Sequence, residues 1–193
     1  MAWRGALLAG VLALAACATS DAQQAALAAA NPPAPRLILP EATARLPAEA
    51  AGFRRGQTLP ARPPLEGQEI SYFTVAARQR AAAVVRLAAV GAALPDGSAS
   101  PAASAAFQAE LQDAVAGRDR ARQLQESRRF NLDALECAAL EGTYGRQPVE
   151  ALVCAGGVGG NLVRLRVSMP KQQPAVADSQ AFASAIMAAL RGR

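Results

Sequence analysis

Residues 130–155, FNLDALECAALEGTYGRQPVEALVCA, decide how this chain is read. Two apolar segments with extended character, Phe130 to Leu140 and Val149 to Ala155, flank Gly145-Arg146. A two-residue hairpin loop with glycine first suits a type II′ turn, because that position needs a positive φ. The turn sets Tyr144 opposite Gln147, and counting outward sets Cys137 opposite Cys154 at a non-hydrogen-bonded position. There α-carbons approach to ~4.5 Å, at the short end of the disulfide range. The two cysteines therefore read as a structural disulfide closing a short loop. A metal or catalytic-thiol reading has neither a CxxC spacing nor a histidine behind it.

The same register sets Glu141 against Glu150. Paired carboxylates invite a glycosidase reading, but no aromatic sugar platform accompanies them and a hairpin tip is solvated. Beyond the hairpin, Gly156-Gly157-Val158-Gly159-Gly160 lacks the Lys-Ser/Thr and the following helix of a phosphate loop, and reads as a flexible hairpin loop. Leu162 to Met169 alternates, with Val163, Leu165, Val167 and Met169 on one side and Arg164, Arg166 and Ser168 on the other, as in a half-buried antiparallel strand. Ser168-Met169-Pro170-Lys171 matches the spacing of a Ser-x-x-Lys nucleophile, but it ends a strand where that motif opens a helix. A helix from Asp178 to Leu190 closes the chain, with Phe182, Ile186 and Leu190 on one stripe and Asp178 or Ser179 as cap.

Working toward the amino terminus, Ser100-Pro101 opens another helix, with Ser100 as N-cap and Pro101 at the first helical position. Phe107, Leu111, Ala114 and Val115 form its apolar stripe, while Glu110, Asp113 and Arg118 to Arg122 occupy the other face. Three strands precede it: Gly52 to Leu59, Gln68 to Ala77 and Ala81 to Val90, with a turn at Ala77 to Arg80. Phe73, Val75, Val85 and Leu87 are expected to share the buried side, and Leu94-Pro95-Asp96-Gly97 stops the last strand. The expectation is an α+β domain over residues 51–193. Its antiparallel sheet has about six strands in the order βββαβββα, with the helices packed on one face. That element order, over Gly52 to Leu190, resembles PsbP-like domains, a resemblance that carries no functional residues across.

The first 50 residues have another character. Arg4 supplies a positive start, Gly5 to Ala13 a short apolar run, and Leu14-Ala15-Ala16-Cys17 a run of small residues ending in cysteine. The run falls short of the ~20 apolar residues a membrane-spanning helix needs, so residues 1–16 read as a signal peptide. Leu14-Ala15-Ala16-Cys17 resembles the bacterial lipobox. The resemblance implies cleavage after Ala16, a thioether-linked diacylglycerol on Cys17 and a further acyl chain on its amino group. Two or more chains anchor stably, whereas one alone is marginal. In lipoproteins of this kind an Asp after the cysteine retains the protein in the inner membrane. Here the position is Ala18, which implies the periplasmic face of the outer membrane. The other reading is an ordinary secretory signal cleaved at Ala13-Leu14-Ala15 or Ala16-Cys17-Ala18. From Cys17 to Ala50, alanine and proline dominate, as in Asn31-Pro32-Pro33-Ala34-Pro35. Such a tether reaches up to roughly 90 Å at ~3.1 Å per residue, unless Leu37-Ile38-Leu39 docks as an edge strand.

Composition narrows the function. The chain of 193 residues holds no histidine, which removes Ser-His-Asp and Cys-His catalysis, His-ligated zinc and the usual base near neutral pH. The formal charge of +5, one of it on Arg4, falls short of a nucleic-acid footprint. Arg118, Arg122, Arg128 and Arg129 could touch an anionic envelope polymer, as arginine forks suit phosphate and carboxylate; a solvated helix end is the alternative. The expectation is a non-enzymatic accessory or interaction module without cofactor or metal. It is held at the membrane by its lipid, with another envelope protein or an anionic polymer as partner and no nucleic acid. The alternative is a carrier of a small apolar ligand between sheet and helix.

Overall fold

The computed structural model describes residues 36–61, 66–75, 80–116 and 122–192. The signal segment, the lipobox, Cys17 and Arg118 lie outside them. The expected hairpin is present: Gly145 has φ +59°, Tyr144 pairs with Gln147, and Cys137 pairs with Cys154. Cys137 and Cys154 form a disulfide with their α-carbons 4.1 Å apart.

Around this hairpin the described residues form eight antiparallel strands, β1 (Glu49–Ala50), β2 (Phe53–Pro60), β3 (Glu66–Thr74), β4 (Ala82–Ala89), β5 (Arg122–Leu132), β6 (Leu135–Tyr144), β7 (Gln147–Val158) and β8 (Asn161–Pro170). They lie in the order β1-β2-β3-β4-β8-β7-β6-β5 and curl into a half-barrel. Three helices accompany them: α1 (Leu39–Arg45), α2 (Pro101–Ala116) and α3 (Ser179–Leu190). This overturns the expected six-stranded βββαβββα arrangement.

The differences have physical causes. Residues 130–140 are not one strand, because Asp133 adopts φ +53°, a left-handed turn conformation that Asp tolerates. The turn splits the run into the end of β5 and the start of β6. The polar stretch Arg122 to Arg129 then pairs with β6 as an edge strand, where few side chains have a core to enter. Its alternation is further masked by a bulge between Glu126 and Arg128, which shifts the facing of every later side chain.

The helices also occupy opposite faces of the sheet. On β7, Leu152, Cys154 and Val158 join the core that holds Phe182, Ile186 and Met187 of α3. The alternate residues Ala151, Val153 and Ala155 join the one that holds Phe107, Leu111 and Ala114 of α2. With both faces covered, Ala151 to Val158 is buried without a break, the signature of a doubly covered strand. Both helix caps are as expected: Ser100 Oγ accepts from the Ala103 N–H at 3.1 Å, and Asp178 accepts from Gln180 and Ala181.

The α3 side centres on Phe182, whose ring lies 4.7 Å from that of Phe53 and 5.0 Å from that of Tyr72. Tyr72 donates to the Pro47 carbonyl at 2.9 Å, so its body is buried while its polar tip is satisfied. This docking sets the phase of β3. Ile70, Tyr72 and Thr74 point inward beside Val85 and Leu87, and Phe73 and Val75, expected inside, are 39% and 55% exposed. The domain also reaches into the stretch read as tether. The Leu37 N–H donates to the Gly159 carbonyl, α1 begins with Pro40 in its first turn, and Ala42 and Leu46 enter the α3-side core. Leu37 docks by that backbone bond, but the segment turns into a helix at Leu39 and is not an edge strand.

Two predictions follow from this core. Replacing Cys137 and Cys154 together by alanine should lower stability by up to about 3 kcal/mol, the value for a loop of this length. The shift in melting temperature measures it, and an unchanged melt would deny the bridge a stabilising role. Burial pushes the Tyr72 phenol up to about 12 from its ordinary 10.0, against a smaller opposing pull from the Arg55 charge. A pKa raised in the folded state means that the contribution is complete below pH 10 and is lost as pH rises toward 12. Tyr72→Phe should therefore flatten the fall in urea midpoint between pH 10 and 12; parallel profiles would refute the assignment.

Candidate functional site

The alternation that sends Val163, Leu165 and Val167 into the α3-side core sends Arg164 and Arg166 to the other face of β8. The sequence pattern places them outward, and the structure agrees as to side, but α2 lies over them. Arg86 joins them from β4, directly opposite Arg164. Glu110 of α2, expected on a solvated face, is 4% exposed. It sits three residues after Phe107 and four before Ala114, so the helix carries it along its apolar stripe and onto the sheet.

Glu110 Oε1 accepts from Arg86 Nη1 at 2.8 Å and lies 3.3 Å from Arg164 Nη1. Arg86 Nε donates to Glu69 Oε2 at 2.8 Å, and Arg166 Nη1 donates to Asp113 Oδ2 at 2.7 Å. Several buried atoms have no partner: Glu110 Oε2, Arg164 Nε, Arg166 Nε and Nη2, and Arg122 Nη2. Burial pushes the Arg164 pKa down, with Glu110 opposing and Arg86 reinforcing that shift. Burial and the neighbouring Arg166 charge likewise push Arg122 down, with Asp113 opposing. For Arg86, burial is the largest single influence and lowers the pKa, but the bonds and charges of Glu69 and Glu110 together outweigh it and the net shift is upward. The face thus holds an ionic network whose buried atoms are only partly satisfied.

Next to the network runs a groove of about 290 Å³ bounded by Arg80, Arg122, Tyr144, Gln147, Val149 and Ser168. A larger groove of about 610 Å³, near α1 and the β7–β8 turn, has two of its lining arginines, Arg36 and Arg45, engaged in the fold. Arg36 donates to the carbonyls of Gly160, Val90 and Gly91, and Arg45 donates to Glu41 and the Leu190 carbonyl.

Of the arginines expected to meet an anionic partner, Arg118 lies outside the described residues and the others are dispersed. Arg122 lines the smaller groove. The bulge in β5 turns Arg128 to the α3 side, where its guanidinium covers Phe130 at 4.5 Å. Arg129 stays on the α2 side, bonded twice to Glu126 at 2.9 and 3.0 Å and lying 5.0 Å from the Phe107 ring. Arg86, Arg164, Arg166 and Glu110 were not singled out from the sequence; the available signal was a charged residue at an apolar-stripe position of the helix.

Glu141 and Glu150 do face each other. Lys171 pairs with Glu141, while burial pushes the Glu150 pKa up, with Lys171 opposing and Glu141 adding to the rise. Ser168 to Pro170 is strand, so the Ser-x-x-Lys spacing has no helix to present it. Cys137 and Cys154 are buried and joined, leaving no thiol among the described residues. No family model, curated protein or solved structure matches the chain.

Glu110→Ala should destabilise the fold by roughly 2 to 3 kcal/mol. It removes the carboxylate between Arg86 and Arg164, and breaking a buried pair costs ~3–5 kcal/mol when no solvent relieves the remaining charge. The partial exposure of both arginines, 25% and 19%, brings the expected value below that range. Urea denaturation measures it, and a change under about 0.5 kcal/mol, the scale of a surface substitution, would contradict the buried network.

Proposed function

We propose that the protein is a lipid-anchored component of the bacterial envelope, held at the periplasmic face of the outer membrane, and that it acts as a non-enzymatic interaction module. The observation that carries this reading is Leu14-Ala15-Ala16-Cys17 with its preceding charged and apolar regions. The Cys137–Cys154 disulfide supports an oxidising compartment, where such bridges form and persist.

The interaction module is favoured over a ligand carrier by the filling of the interior. The space between α3 and the sheet is occupied by Phe182, Ile186, Met187 and Leu190, all buried. The two grooves described above are lined in part by charged side chains, whereas an apolar ligand calls for a mostly apolar, enclosed cavity.

Cys17→Ser should abolish incorporation of labelled palmitate and release the protein from the membrane fraction, since the thiol is the acceptor that the lipobox resemblance implies. Continued labelling with unchanged fractionation would overturn the anchor.

A further inference from the structure

We propose that the groove between Arg80 and Arg122 binds an oxyanion, phosphoryl or carboxylate, carried on a single sugar-sized hydroxylated unit. The proposal rests on the interaction-module reading and gives the partner a chemistry.

The strand register builds the site. Arg122, Tyr144 and Gln147 form one row across β5, β6 and β7. Ser168 of β8 lies beside Ala82 of β4 and Ala151 of β7, and Val149 lies beside Pro170. Arg80 enters from just before β4. Two guanidinium groups, a phenol, an amide and a hydroxyl thus border one groove together with the apolar surface of Val149, Met169 and Pro170, and no carboxylate borders it among the described residues. This is the donor set for an anionic head on a hydroxylated body with one apolar side.

Charge points the same way. Arg166, behind the groove, is paired with Asp113 through one nitrogen but leaves Nε and Nη2 unpartnered, as Arg122 leaves Nη2. Buried donors without acceptors are costly, and the like charges of Arg122 and Arg166 repel. An oxyanion on the exposed side of Arg122 offsets that repulsion. The volume of about 290 Å³ is at the low end for a small-molecule site, which limits the recognised unit to one ring. Among the described residues only Tyr144 could stack, so the groove offers no platform for successive nucleic-acid bases.

The test uses the full-length protein and calorimetric titration at low salt with glucose 6-phosphate, glucuronate and uncharged glucose. Saturable binding of either anionic sugar is expected, with glucose at least tenfold weaker, and the preferred anion distinguishes a phosphoryl from a carboxylate source. Arg122→Ala and Arg80→Ala should each weaken binding about tenfold or more, as expected for a lost charge-assisted contact. Arg128→Ala, on the opposite face, should leave it unchanged. Arg80 is exposed, so its replacement keeps the test valid if Arg122→Ala fails to fold. Absence of saturation by both anions, equal binding of glucose, or affinity that survives the Arg80 replacement would overturn the site. A parallel pull-down from outer membranes separates the two readings: sugar-acid binding with no retained envelope component would refute the module and leave the site intact, and the reverse result would do the opposite.

Discussion

Strand β7 has to satisfy two cores at once. Its even-numbered residues from Leu152 onward pack toward α3 and its odd-numbered ones from Ala151 toward α2, so an unbroken apolar run is the only sequence that suits it. A slip of one residue relative to β6 or β8 would exchange the two sets and put the large α3-side residues under α2. Two features hold the register. The Cys137–Cys154 bridge ties β6 to β7 at a directly opposed pair, and the tight Gly145-Arg146 turn fixes the count from the other end.

The next hairpin is held by close approach. A side chain at Gly156 would meet the Ala134 carbonyl at 2.3 Å, and one at Gly157 would meet the Pro95 carbonyl at 2.2 Å. Gly160, at φ +77°, leaves only 2.8 Å to the Arg36 α-carbon. The run that resembles a phosphate loop is thus a place where segments near Arg36, Pro95 and Ala134 cross the β7–β8 hairpin at backbone distance. Backbone bonds from Gly97 to Gly157 and from Leu37 to Gly159 turn that closeness into attachment. This is also why residues 36–46 belong to the domain although they continue an alanine- and proline-rich stretch.

What the sequence discloses follows the local signals. The disulfide, the hairpin register, both helix caps and the alternation in β8 depend on residues close in sequence, and each is legible there. The parts that were not legible depend on partners far away. The phase of β3 is set by Tyr72 meeting Phe53 and Phe182, which period-two counting along one strand cannot decide. Strand β5 shows no clean alternation, because it is an edge strand and its bulge changes face midway. Assignment of both helices to one face failed because it requires knowing that β7 is covered twice. Among the described arginines of the run, only Arg122 reaches the candidate groove, since alternation and the bulge divide residues that are neighbours in sequence.

The second face of the sheet follows from the same constraint. Once β8 commits Val163, Leu165 and Val167 to the α3 core, Arg164 and Arg166 have to lie beneath α2, where water is scarce. A fold selected only for stability would fill those positions with apolar residues, since replacing buried ion pairs by well-packed hydrophobic groups is often neutral or stabilising by ~1–4 kcal/mol. Here the helix instead supplies Glu110 and Asp113, which engage Arg86, Arg164 and Arg166 while several guanidinium nitrogens remain unpartnered. Glu69, Glu110 and Asp113 match the three charges under α2, so Arg122 is the cation left over beside them, in a partly dry region where a charge acts over a longer range than in water. Arg122 borders the groove beside the network, so the covering of β8 by α2 is what brings its charge next to an open surface.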